Sequence, residues 1–263
     1  MKITKIHGRE GLDSRGFPAL ACFLELDNGR KVCASVPSGA SVGVHEAVEL
    51  RDGDPQWFFG KGVSQAIQNL EQKIAPMLVG KTPDIIAMDR MMIELDGTEN
   101  KSNLGANAIL AASIAVTRAQ ALVNNVEVFQ LLHKLYPLET ADITSIPSSS
   151  AYRGTGVTDL ESPPSRGENL FSSRGMGMPR CMFNIINGGL HADSGLVFQE
   201  FMIMPRQILA IKDQLHMTVT IYQTLKKILH EEGLATSVGD EGGFAPHIEP
   251  GHRTREKVAL GFF

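Results

Sequence analysis

The stretch "TSIPSSSAYRGTGVTDLESPPSRGENLFSSRG", residues 144–175, divides the chain. It is dense in Ser, Gly, Pro and Arg and has neither helical nor strand periodicity, so it carries too little apolar surface to offset the entropy of ordering it. A structureless run of this length is out of place inside one compact domain. Two folded bodies are therefore expected, residues 1–138 and residues 177–250, with a linker or insertion at 139–176 between them and an unrelated tail at 251–263.

The first body reads as strands followed by helices, which predicts an α+β domain. "ALACFLELDNGRKVCASVP" holds two apolar runs around Asn28-Gly29, a dipeptide that favours a two-residue hairpin turn. That turn places Leu24 opposite Cys33 and Ser35 opposite Cys22, so the hairpin does not pair the thiols. The three cysteines, Cys22, Cys33 and Cys181, fit no CxxC pattern, and free thiols in a reducing compartment are expected.

Three helices follow. Val63, Ile67, Leu70, Ile74 and Leu78 form one helical face, with Pro76 expected to break or kink its last turn. The next helix is expected to take Thr82 as cap and Pro83 as its first residue, with Ile85, Met88, Met92 and Leu95 on one side as core filling. "GANAILAASIAVTRAQALV" is apolar nearly all round, which predicts a helix buried on most faces.

Beyond the divide, "PRCMFNIING" and "VFQEFMIMP" read as short strands. A helix from about Ile208 to Glu232 carries Leu215, Val219, Tyr222, Leu225 and Leu229 on one face and stops at Gly233. The net charge of −4 supplies no basic field for nucleic acid, and no apolar run is expected to reach a membrane span. "MKITKIHGRE" has no apolar signal core, so the cytoplasm is the expected compartment.

Four glycine-containing stretches carry polar residues with no packing role: "VPSGASVGVHEAVELRDGD", "ELDGTENKSNLGANAIL", "NGGLHADSGLVFQEFM" and "VGDEGGFAP". Each alone is a weak signal, since many such loops are plain turns. In this order the chain resembles enolase, the phosphopyruvate hydratase of glycolysis, from Met1 to about Tyr136 and again from Met178 to about Glu249. The resemblance implies an α+β domain followed by the opening portion of an α/β, TIM-like barrel. It also implies magnesium-dependent dehydration of 2-phosphoglycerate to phosphoenolpyruvate. Ser41 in "SGAS" matches the lid-loop serine that reaches the second magnesium, and His191 in "GGLHADSG" matches the histidine at the substrate phosphate. Glu200 in "FQEF" and Glu241 in "GDEGG" match the substrate-facing glutamates that help the hydroxyl leave as water; Asp240 is expected to orient the turn.

The family pattern places the ligands of the first magnesium and the lysine that takes the proton on a continuation past the GDEGG turn. "IEPGHRTREKVALGFF" does not resemble that continuation, and its Lys257 does not stand in for the base. The chain by itself is thus expected to hold the acid side and the lid, and to be inactive alone. The other class of reading is a non-catalytic, enolase-like fragment, either an interaction protein or an interrupted gene product. Val42 stands where the family usually has Thr, Phe17 where Asn is usual, and Ala21 where an acidic residue helps pair subunits. These departures weigh against lid closure and the family homodimer.

Overall fold

A computed structural model describes residues 1–39, 43–136, 181–206 and 209–248. Ser41, the 139–176 segment and the 251–263 tail lie outside the described residues. The chain divides into two compact units, Met1–Ser148 and Ser149–Phe263.

The first unit opens with an antiparallel sheet in the order β1-β2-β3, made of β1 (Ile3–Leu12), β2 (Pro18–Leu26) and β3 (Lys31–Val36). Strand β1 escapes the sequence reading because its apolar positions are sparse; only Ile3 and Ile6 are buried in it. Strand β2 alternates cleanly, sending Leu20, Cys22, Leu24 and Leu26 into the core.

The hairpin turn holds one residue more than expected. The Leu26 N–H donates to Arg30 O and the Gly29 N–H donates to Leu26 O, both at 2.9 Å, while Asp27 gives its own N–H to Lys2 O on the neighbouring strand. Gly29 supplies the left-handed residue, φ 79°, that a three-residue loop needs. The register slides by one, so Cys33 faces Phe23 and Ala34 faces Cys22. The thiols stay free, and burial, then the neighbouring Cys33, pushes Cys22 up to about 12.

The helix from Ser64 runs in three pieces: α1 (Ser64–Asn69), a wide π turn (Leu70–Ile74) and α2 (Ala75–Leu78). Pro76 does not end it. The proline lacks an N–H, and the wide turn just before it is where the helix absorbs that defect. Val63, Leu70, Ile74 and Leu78 are buried as expected.

Helix α3 (Ile85–Asp96) starts later than the sequence suggests, because Asp84 is the cap and accepts from the Ala87 N–H at 3.1 Å. Its buried face is Ile85, Met88, Met92 and Asp96; Leu95 is 43% exposed. The two methionines are core filling, and burial of each stabilises the unit by about 1.5–3 kcal/mol.

Helix α4 (Ala106–Asn124) lays Ala108, Ala111, Ala112, Ala115 and Ala119 on β2 and β3, small side chains that permit close approach to the sheet. By length and composition alone this helix is long and apolar enough to cross a membrane, a test that the core helix of a folded domain also meets. Its packing on the sheet accounts for the composition. It is less enclosed than its sequence suggests, with Leu110 48% exposed. Helix α5 (Val128–Leu135) was not legible; a capping box between Glu127 and Gln130 starts it.

Asp96 organises the entry to α4. Its carboxylate accepts from the Leu104 N–H at 2.7 Å, the Thr98 N–H at 3.0 Å and the Thr98 hydroxyl. Burial disfavours its charge, but these bonds hold its pKa below the usual carboxylate value. "DGTENKSNLGANAIL" is thus a fold-fixing segment, in which Lys101 donates to Glu99 O at 2.8 Å.

The second unit pairs β4 (Phe183–Asn187) with β5 (Glu200–Ile203), antiparallel, followed by α6 (Ile211–Glu231) and Gly233. Phe244 joins β4 from the other side in a parallel bridge with Ile186. Its core is Ile185, Ile186, Leu196, Leu225, Leu229, Phe244 and Ile248. The described residues form the opening strands of a barrel and no closed cylinder. One expectation for α6 is corrected: its inward face runs through Gln214, Thr218, Leu225 and Leu229, while Leu215 and Val219 are 46% and 57% exposed.

Replacing Asp96 by Ala strands buried donors, and we expect a loss of about 2–3 kcal/mol, read by urea unfolding followed through the fluorescence of Trp57. Because the folded pKa is depressed, this contribution is present above the ordinary Asp value and is lost as pH falls through the folded value. The gap between wild type and Asp96→Ala therefore narrows in acid.

Candidate functional site

The turn at residues 238–244 sits where backbone hydrogen bonds fix it from both ends. The Phe244 N–H donates to Ile185 O and the Asn187 N–H donates to Phe244 O, both at 2.9 Å, tying the turn to β4. Within it the Gly239 N–H donates to Gly243 O at 2.9 Å and the Gly242 N–H to Gly239 O at 3.0 Å. From α6, the Tyr222 hydroxyl donates to Gly242 O at 2.9 Å while its ring stacks on Phe244 with centroids 4.3 Å apart. Glu241 therefore projects from a turn clamped by a strand and a helix.

Close approach explains Gly243. A Cβ there would lie 2.1 Å from Asn187 Oδ1 and 3.0 Å from the Asn187 backbone nitrogen, so no side chain fits without moving the turn off β4.

Strand pairing delivers the second acid. Asn187, the last residue of β4, stands opposite Glu200, the first of β5. A short 3₁₀ turn, Gly189–His191, then carries His191 back over the same end of the pair. His191 Nδ1 lies 3.1 Å from Glu241 Oε2 and 3.5 Å from Glu200 Oε1. These contacts are close in distance without hydrogen-bond alignment at Nδ1, which is buried. His191 is 13% exposed at its side chain, and the two glutamates are 29% and 34% exposed.

The two carboxyl groups both flank His191 Nδ1. A hydrogen bond from Glu241 first, then burial, then repulsion from the Glu241 charge raise the pKa of Glu200, with His191 opposing. A carboxyl whose pKa is raised holds its proton to higher pH than an ordinary glutamate, which suits it to donate that proton. Asn184 supports the pair by donating to Glu241 Oε2 at 3.4 Å and to Asn187 Oδ1 at 3.1 Å.

One ligand atom each from His191, Glu200 and Glu241 fall within 4.8 Å of one another, the geometry of a candidate metal group. Magnesium demands near-octahedral oxygen coordination and keeps several waters. One ring nitrogen and two carboxylate oxygens, both close to that nitrogen, do not fit it. The set suits proton transfer better than a magnesium cage.

Three of the four residues singled out from the sequence, His191, Glu200 and Glu241, are brought together, although 41 positions separate the two glutamates. Ser41 lies outside the described residues. The sequence reading missed Asn184 and the hydroxyl role of Tyr222. The strand register of "FNIIN" carries the signal for Asn184, three residues before the Asn187 that opens the glycine motif. Nothing in the helical stripe distinguishes Tyr222 from a packing residue.

Comparison with known proteins matches both units to one family. Residues 3–132 match the enolase N-terminal domain, and residues 175–259 match the enolase C-terminal TIM barrel domain. The chain is 43% identical over 251 residues to the enolase of Mycoplasma pneumoniae, an alignment that covers 94% of this chain and 48% of that protein. It is 41% identical over 250 residues to the enolase of Mycoplasma genitalium, covering 94% of this chain and 47% of that protein. The chain thus spans about half the length of the curated relatives it matches. With both of its folded units matched in order and the motif residues assembled at one end of the β4/β5 pair, this chain belongs to the enolase family.

Proposed function

We propose that the second unit carries the acid side of a 2-phosphoglycerate dehydration site. The observation that carries this reading is the gathering of Glu200 and Glu241 around His191 Nδ1, at 3.5 and 3.1 Å, with one ligand atom from each residue within 4.8 Å of the others. In the reaction, a proton leaves the carbon next to the carboxylate, the hydroxyl on the neighbouring carbon departs, and a double bond forms between them to give phosphoenolpyruvate. Hydroxide is a poor leaving group. A proton delivered from the Glu200/Glu241 pair lets it depart as water, which is the role we assign to both residues. His191, held by its 3₁₀ turn, is assigned to the phosphate end of the substrate, and Glu200 to the hydroxyl it protonates.

The base and the main metal site are a separate matter. Among the described residues no lysine pairs with either glutamate. The carbon-bound proton beside a carboxylate is too weak an acid to be removed without cations that neutralise the developing charge. Magnesium supplies that neutralisation in the family, and its fit to this cluster is poor. We therefore assign Ser41 to a lid-loop contact with a second magnesium by resemblance alone. These residues are accordingly half of a site, in a protein whose family role in glycolysis favours the cytoplasm. A net charge of −4 supports neither a nucleic-acid role nor an anionic membrane surface.

A second reading has its own support. Leu215 and Val219 leave an apolar stripe on α6 uncovered, as in a body that binds another polypeptide without catalysis. A stable complex with a full-length enolase on size-exclusion chromatography, absent with unrelated proteins, supports it; migration as monomer or aggregate alone counts against it.

Two measurements test the main reading. Carboxyl titration of labelled glutamate by NMR is expected to find Glu200 above the ordinary glutamate value in the wild type, and Glu241→Gln to return it toward that value, because the repelling carboxylate is gone. Since the folded pKa is raised, the stability this proton confers on the turn is present in acid and fades as pH rises through the folded value. Second, phosphoenolpyruvate absorbance with purified chain, excess magnesium and 2-phosphoglycerate is expected to show no sustained turnover. A polypeptide supplying the remaining barrel is expected to restore it, and Glu241→Gln to lower the restored rate by roughly 10²–10⁴-fold. Turnover by the chain alone that Glu241→Gln abolishes contradicts the half-site reading, and restored turnover indifferent to that substitution contradicts the acid role.

A further inference from the structure

The outward face of the first sheet carries a second concentration of charge, unrelated to the acid cluster. Strand alternation brings Lys5, His7 and Arg9 from β1, Phe23 and Glu25 from β2, and Lys31 from β3 to one side. In register His7 faces Phe23, Lys5 faces Glu25, and Glu25 faces Lys31. These six residues line a recess of about 350 Å³, within the range of small-molecule pockets.

Its floor is aromatic. The His7 ring stacks on Phe23 with centroids 5.1 Å apart and planes 15° apart. The Arg9 guanidinium lies over the same Phe23 ring, 5.5 Å from its centroid. A phenyl ring holding a guanidinium in this way keeps the cation at the recess rather than in open water.

Its charge is unbalanced. Lys5, Arg9 and Lys31 face a single acid of the recess, Glu25, and Lys31 pairs with it at 3.3 Å. Among the described residues neither Lys5 nor Arg9 forms an ion pair. On the helix side Glu71 comes near His7, but its Oε1 accepts from the Gly8 N–H at 2.9 Å. His7 Nδ1 is buried and has no hydrogen-bond partner. Burial first, then Lys5, Arg9 and Lys31, lower the pKa of His7, and Glu71 opposes them only in part. The recess as folded is short of negative charge.

We propose that this recess binds a small, multiply charged, phosphate-bearing anion, with Lys5, Arg9 and Lys31 neutralising its oxygens and the stacked His7 and Phe23 rings as the floor. A single carboxylate leaves two of the three cations unanswered, whereas a pyrophosphate-type group presents several oxygens and more than one charge. A long polyanion is disfavoured by the net charge of −4, which repels it everywhere beyond the recess. The proposal rests on the first unit alone and stands or falls independently of the acid pair.

Pyrophosphate is the probe. It is titrated into the full chain while the imidazole C–H signals are followed by NMR, with equilibrium dialysis of labelled pyrophosphate giving the affinity regardless of spectral quality. Bound anion favours the imidazolium, so the His7 pKa is expected to rise, while exposed His133 on α5 stays put. Lys5→Gln and Arg9→Gln, both at exposed side chains, are each expected to weaken binding by roughly tenfold, and added salt to weaken it further. Trp57 fluorescence checks that both variants fold. Three results overturn the proposal: no binding by dialysis, binding that neither substitution weakens, or self-association of the chain that Arg9→Gln abolishes, which makes an acidic side chain of a second copy the occupant.

Discussion

Two backbone hydrogen bonds, from Phe244 to Ile185 and from Asn187 to Phe244, fix the second unit's chemistry. They hold a turn that otherwise has little reason to stay in place, since it is rich in glycine and its acids are partly exposed. Gly243 permits the approach because no Cβ intervenes between the turn and Asn187, and Tyr222 presses from α6. With the turn docked, Glu241 comes within reach of Glu200 and His191. Without it, the same residues are three polar side chains on separate loops. The raised pKa of Glu200 is a consequence of this docking and not of the residue's own chemistry.

The first unit is held by a different kind of contact. There a sheet whose inner face alternates strictly is covered by an alanine-faced helix, and the carboxylate of Asp96 ties the loop that starts that helix. The buried charge survives because backbone donors surround it. Asp96 is answered by its donors and rigidifies the loop, whereas Asn187 Nδ2 and His191 Nδ1 in the second unit remain without aligned partners beside the two glutamates.

Much of this was legible in the residues. Period-two alternation identified β2 and β3, helical spacing identified α1, α3, α4 and α6, and the motif order pointed to His191, Glu200 and Glu241. What escaped had local causes. Strand β1 is half polar because its outer face carries Lys5, His7 and Arg9, so it shows little apolar pattern. The hairpin loop holds one residue more than its turn dipeptide predicts, and the Asp27 N–H in it goes to Lys2 O just before β1, a contact remote in sequence. Leu95 is exposed where a core position was expected, and Asp96 is buried beside it because the Thr98 and Leu104 N–H groups answer its carboxylate.

The amino-acid sequence by itself determined which segments become strands and helices, and which polar residues have no packing task, because those follow from periodicities two to four residues apart. Only the tertiary structure decided that Glu200 and Glu241 meet, that Asn187 leaves room for nothing larger than Gly243, and that Lys5, Arg9 and Lys31 crowd one recess. Each of those is a distance between residues remote in the chain, set by strand register and close packing, and electrostatic energies depend on such distances.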